Sequence, residues 1–133
     1  MSSPPDSLPH VDAVTSALRD VDLVVSLGVA PEGAVAPYCV LYPDPGQSVP
    51  GSLADPVSDF SGLLQVTCVG ATAEQALSVS DRVRRALSVP LVVAGRTGWR
   101  PQDLGGPPVQ RDDDASPPYY YAPVQFRLRS TPL

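Results

Sequence analysis

Residues 64–85 read LQVTCVGATAEQALSVSDRVRR, and their reading decides the fold. Leu64, Val66 and Cys68 fall on one side of an extended chain. Leu63, Gln65, Thr67 and Val69 fall on the other, the period of two that marks a strand. Gly70 ends it. Thr72 then stands where a helix begins, with Gln75 three residues on, the spacing of a capping box. Ala73, Ala76, Leu77, Val83 and Leu87, with Ser80 in line, predict the buried stripe of that helix. Glu74 lies near the positive end of the helix dipole. Arg82, Arg84 and Arg85 lie near its negative end, as electrostatics favours. Pro90 stops the helix. The segment builds structure and carries almost no reactive chemistry.

On the N-terminal side, residues 1–7 read as a flexible lead-in. Leu8, Val11, Val14 and Leu18 predict a helix over Pro9–Arg19, with Pro9 in its first turn, where the missing N–H costs nothing. Asp22–Val29 and Tyr38–Tyr42 read as strands, separated by the turn around Pro31 and Gly33. Pro43–Asp59, PDPGQSVPGSLADPVSD, holds four prolines and two glycines and reads as a long loop without core. Such loops are usually functional or disordered, so it is expected to be an arm projecting toward a neighbour, the alternative being a mobile excursion. The strand before Gly70 starts at Phe60.

On the C-terminal side, Leu91–Ala94 reads as the start of a strand and Val109–Arg111 as a short one. Tyr119–Arg129 is the last strand, with Tyr120, Ala122, Val124, Phe126 and Leu128 on one face. Pro123 cannot donate to a ladder, so the strand is expected to be an edge there or to carry a bulge. The expected class is α+β: one domain spanning residues 1–133, with a mostly antiparallel sheet and two helices on one face.

Composition narrows the function. The hydrophobic fraction of 43% is that of a globular chain, whereas 17 prolines in 133 residues far exceed the typical ~5% and point to stiff connections. No apolar run approaches a membrane span, and no basic region precedes an apolar one near residue 1, so a cytoplasmic origin is expected. The net charge is −5, and all nine basic residues are arginine. An acidic chain without a basic cluster is a poor grip for phosphate backbones. Without lysine there is no Walker A loop, Schiff base or lysine general base.

The remaining chemistry is sparse. His10 is the only histidine and is expected to be exposed at the start of the first helix. Cys39 and Cys68 make no CxxC and read as buried thiols on strands. Arg111–Asp114, RDDD, reads as a solvated acidic turn, lacking the spacing of a calcium loop. There is no GxSxG and no GxGxxG. Tyr119, Tyr120 and Tyr121 are contiguous and cannot share one strand face as a base-stacking platform. No enzyme, cofactor or metal is expected.

What remains is surface. Arg82, Arg84 and Arg85 form one charged block and Asp112, Asp113 and Asp114 another, while Tyr121, Gln125, Arg127 and Arg129 share an outward strand face. Copies meeting head to tail would set arginine against aspartate, and such a contact closes into a ring when the rotation allows. The alternative is that these charges only solvate the surface.

YCVLYPDPG, GSLADPVSD, LLQVTCVGATAEQALSVSDRVRRAL, PVQRDDD and FRLRSTPL together resemble tail terminator proteins of long-tailed phages that infect actinobacteria. The resemblance covers most of the chain from Tyr38 onward, and its most specific element is QVTCVG followed by a Gln-Ala-containing helix. It implies a small α+β subunit of a hexameric ring that caps the tail tube, stops its polymerisation and forms the tail side of the head–tail joint. The partners it implies are further copies of the chain, the tube protein, a neck or connector protein, and genomic DNA passing through the bore without specific binding. The location it implies is the head-proximal end of the tail. The competing readings are another head–tail connector and a small ligand-binding domain.

Overall fold

A computed structural model describes residues 4–50 and 58–133. The elements run α1 (Leu8–Arg19), β1 (Val25–Leu27), β2 (Tyr38–Pro43), β3 (Gln47–Val49), β4 (Asp59–Gly70), α2 (Ala73–Ala86), β5 (Arg96–Gly98), β6 (Gln102–Gly105), β7 (Gln110–Asp112) and β8 (Tyr119–Pro132). The strands form one sheet in the order β1-β2-β4-β8-β5, with β3 added beside β4, and β6 and β7 beside β8. Every pair is antiparallel except β1 with β2. The fold is α+β, and both helices pack on one sheet face.

The segment 64–85 folds as its pattern dictates. β4 runs antiparallel between β2 and β8, and Leu64, Val66 and Cys68 enter the core beside Val124, Phe126 and Ala122. The Thr72 hydroxyl accepts the Gln75 N–H at 3.1 Å, and the Gln75 side-chain oxygen accepts the Ala71 N–H at 2.7 Å. Two N–H groups at the mouth of α2 are thereby satisfied reciprocally. Thr72→Ala is expected to cost about 1 kcal/mol in urea unfolding, with an unchanged m-value.

Both helical stripes depart from expectation, and Ala73 of α2 is only half-buried. In α2 the buried set is Ala76, Val79, Ser80, Val83 and Leu87; Val79 turns inward, and Leu77 is 47% exposed. In α1 the most deeply buried line is His10, Val14 and Leu18, at i, i+4 and i+8, while Leu8 is 62% exposed. An apolar-only pattern overlooks the histidine that completes this line.

The strands differ more. Only Val25–Leu27 of the expected Asp22–Val29 is strand, because the chain turns at Asp22 (φ 63°) and again at Gly28 (φ 73°). The loop 43–59 is shorter than expected. Asp44 accepts N–H groups from Gly46 (2.9 Å) and Leu63 (3.0 Å), and this turn returns the chain to β4 as β3. The part of the expected arm that falls on residues 51–57 lies outside the described residues. Leu91–Ala94 forms no strand. Leu91 and Val93 are buried, and pairing starts only at Arg96. The short strand near Val109 is Gln110–Asp112, and the last strand runs on to Pro132.

Pro123 sits inside an interior strand at a local edge. The Arg129 carbonyl accepts the Trp99 N–H, so the odd-numbered residues of β8 point their backbone groups away from β4. Pro123 therefore faces the interval between β6 and β7, where a ladder N–H is not required. Gly106 fills that interval. A Cβ there would lie 1.9 Å from the Pro123 carbonyl oxygen.

Candidate assembly surface

Of the three arginines of α2, two already have partners within the chain. Arg82 donates to the Val21 carbonyl and ties α2 to the turn after α1. Arg84 donates from Nε to Asp103 at 2.7 Å, and this hydrogen bond holds the Asp103 carboxyl below the usual carboxylate range. The Arg85 carbonyl accepts the Ser88 hydroxyl, but its guanidinium makes no hydrogen bond or ion pair within the chain among the described residues. Beside it the structure places a residue that sequence reasoning missed, Arg100, equally without a partner there. Arg85 and Arg100 flank an open groove of about 620 Å³, with Asp81 on its rim and Phe126 in its lining. Arg100 follows a Gly–Trp pair that reads as loop, and only the pairing of the neighbouring strands with β8 carries it to the end of α2.

Asp112–Asp114 form the expected acidic turn at the end of β7. Asp112 accepts the Asp114 N–H at 3.0 Å, and Arg111 pairs with Asp113 at 2.5 Å. The turn lies far from the arginine groove. Asp112 is in register with Tyr119 and Asp103 with Phe126, seven residues apart along β8, or about 23 Å at ~3.3 Å per residue.

Arg127 and Arg129 lie on the sheet face away from the helices. Arg127 donates to the Ser61 hydroxyl at 3.0 Å, and Arg129 borders a shallow recess beside Trp99. Tyr42, Leu63 and Gln125 stand on the same face, exposed. Toward its far end, Tyr38, Val40 and Val69 pack with Tyr119 and Tyr121, while Tyr120 turns to the core face, so the three contiguous tyrosines divide between two faces.

His10 is buried, contrary to expectation. Its ring stacks on Phe60 with centroids 3.8 Å apart. Nδ1 lies 2.9 Å from the Asp6 carbonyl and Nε2 2.6 Å from the Ser130 hydroxyl. A carbonyl only accepts, so Nδ1 carries the proton and Nε2 accepts the Ser130 O–H. The Ser130 oxygen in turn accepts Arg96 Nε–H at 2.7 Å, and Arg96 also donates to the Ser58 carbonyl. Burial, and the nearby Arg96 charge, lower the His10 pKa below its ordinary value, which keeps the ring neutral. Histidine and serine stand at the distance of a base and a nucleophile, but Ser130 is 1% exposed and its oxygen is already engaged by Arg96. The arrangement pins α1 and β8 together.

Cys39 and Cys68 are buried and directly opposite each other on β2 and β4, as free thiols. The adjacent Cys39 and the apolar surroundings push the Cys68 thiol far up, the reverse of an activated nucleophile. No three of His, Cys, Asp and Glu gather as metal ligands, and no helix is long and apolar enough to cross a membrane, among the described residues.

No family model matches the chain, and no curated protein matches its sequence. A solved structure does. A chain from the virion of a native gene transfer agent particle superposes with a TM-score of 0.70 at 18% identity, covering 90% of this chain and 92% of that one. The two share a fold. At that identity the likeness concerns the arrangement of elements.

Proposed function

We propose that this chain is a structural subunit of a virion or tail-like particle, and within it the tail terminator. It would assemble as a ring on the finished tail tube, block further subunit addition and present its other side to the head connector. The single observation that carries the reading is the shared fold with a virion chain over 90% of the length. The resemblance of the segments from Tyr38 onward to tail terminators gives it its finer form. The surface is compatible with this role. Unpaired arginines beside the middle of β8 and an acidic turn beside its start occupy separate parts of the surface, an arrangement suited to head-to-tail contact. A net charge of −5 would let DNA pass the bore without being held. In this reading the chain works without catalysis, cofactor or membrane, and resides at the head-proximal end of the tail.

The test is deletion of the gene in its phage or particle, with tail lengths measured by negative-stain electron microscopy. Overlong, headless tubes are expected. Normal-length tails beside full heads would move the chain to a neck or stopper role. Intact infectious particles would end the assembly reading in favour of a ligand-binding domain.

A further inference from the structure

Four of the charged groups along β8 neutralise each other locally: Arg84 with Asp103, and Arg111 with Asp113. That leaves Arg85 and Arg100 beside the middle of β8 and the Asp112 and Asp114 carboxylates beside its start, without an ion pair among the described residues. We propose that the Arg85–Arg100 groove receives the 112–114 turn of a second copy of this chain. The inference rests on the head-to-tail ring reading above and names its contact.

Three observations support it. The groove is a concave space of about 620 Å³ opened between the end of α2 and the chain entering β6, large enough for a tight turn. The turn is narrow, because Asp112 folds back onto the Asp114 N–H, and its three aspartates are exposed. The two features lie about 23 Å apart along one interior strand, so they cannot meet within a chain; a contact between them links unlike surfaces and repeats from copy to copy. Asp81 on the rim leaves the groove only one positive charge in excess: Arg84, Arg85 and Arg100 against Asp81 and Asp103. Recognition therefore falls to the forked hydrogen bonds of the two free guanidinium groups with carboxylates, more than to a long-range field.

Cysteine trapping tests the contact and leaves its charges intact. Ser88→Cys places a thiol in the groove and Ala115→Cys one beside the turn. The two single variants, mixed and mildly oxidised, are expected to give an 88–115 cross-linked dimer, mapped by peptide mass spectrometry. The double variant is expected to give a ladder of higher adducts. Adding Arg85→Glu and Arg100→Glu to the Ser88→Cys partner should cut the 88–115 yield at least tenfold, and Asp112→Arg with Asp114→Arg on the other partner should restore it. Only 88–88 or 115–115 adducts, or a yield indifferent to the charge reversals, would overturn the contact. So would the absence of any 88–115 adduct both in concentrated protein and in particles complemented with the double variant. The terminator role is judged separately by the deletion. Overlong tubes without an 88–115 adduct would sink this contact alone, and normal tails would sink the terminator role on which it rests.

Discussion

His10→Ala is expected to destabilise the protein by about 3 kcal/mol, seen as a fall of roughly 10–15 °C in Tm. The substitution removes a fully buried ring stacked on Phe60 and leaves a cavity beneath the start of α1. It also strips the Ser130 hydroxyl of the nitrogen that accepts its proton, 2.6 Å away in the intact chain. His10→Phe separates these contributions. It keeps a ring against Phe60 and loses only the polar links, so it should cost about 1–2 kcal/mol. Equal losses for the two variants would show that packing contributes nothing at this site.

The same residue makes stability depend on pH. The folded-state pKa of His10 is lowered, first by burial and then by the Arg96 charge, so the unfolded chain takes up a proton at higher pH than the folded one. The stabilisation is complete above the unfolded value of about 6.5, and it is lost as pH falls from there toward the depressed folded value. Urea midpoints measured between pH 7.5 and 5.5 should therefore decline in the wild type. The His10→Phe variant should be flat over the same interval, before carboxylates begin to protonate. A parallel decline in both proteins would place the titrating group elsewhere.

How far the sequence discloses the fold depends on how local each determinant is. Thr72, Gln75 and the alternation of Leu64, Val66 and Cys68 act within a few residues of themselves, and the strand, cap and helix follow from them. The alternation of β8 is equally local. His10 is the opposite case. Its surroundings are made by Phe60 and by Ser130, 120 positions away, so nothing adjacent to it signals burial. Arg96 likewise gains its role only when β5 pairs with the end of β8. The parallel pairing of β1 with β2 depends on where α1 delivers the chain, which no window of residues contains. At the candidate assembly surface, the charged blocks are visible in the sequence as blocks. Which members stay unpaired is not, because Val21 and Asp103 reach α2 from distant segments and claim Arg82 and Arg84. Arg85 and Arg100 remain by subtraction, and subtraction requires the tertiary structure.

Gly70→Ala is expected to be at least as damaging as His10→Ala, although it adds a single methyl group. Gly70 closes β4, in register with Tyr120 of β8, and α2 begins three residues later. A Cβ on Gly70 would stand 2.4 Å from the Ala76 nitrogen and 3.0 Å from the Ala76 Cα. Those are backbone atoms of the first turns of α2, and no side-chain rotation moves them aside. The helix start must lift from the sheet, or β4 must shed its last pair with β8. Lifting the helix disturbs the Gln75–Ala71 and Thr72–Gln75 links together and draws Ala76 and Val79 away from the core. Overpacking costs about 1–3 kcal/mol, here about 2–3 because the clash is with backbone, and loss of the cap adds about 1 kcal/mol, for an expected total of about 3–4 kcal/mol. Gly33→Ala is the control for the other role of glycine. Its backbone is left-handed (φ 65°) and nothing lies within 4 Å of its would-be Cβ, so only the conformational cost of about 1 kcal/mol applies. Amide exchange should report where the Gly70→Ala strain goes, with faster exchange confined to 71–77 and protection retained along β8. If Gly70→Ala unfolded at the same urea concentration as Gly33→Ala, the close seating of α2 on the end of β4 would be wrong. The fold derived from residues 64–85 would then lose the junction that joins its two halves.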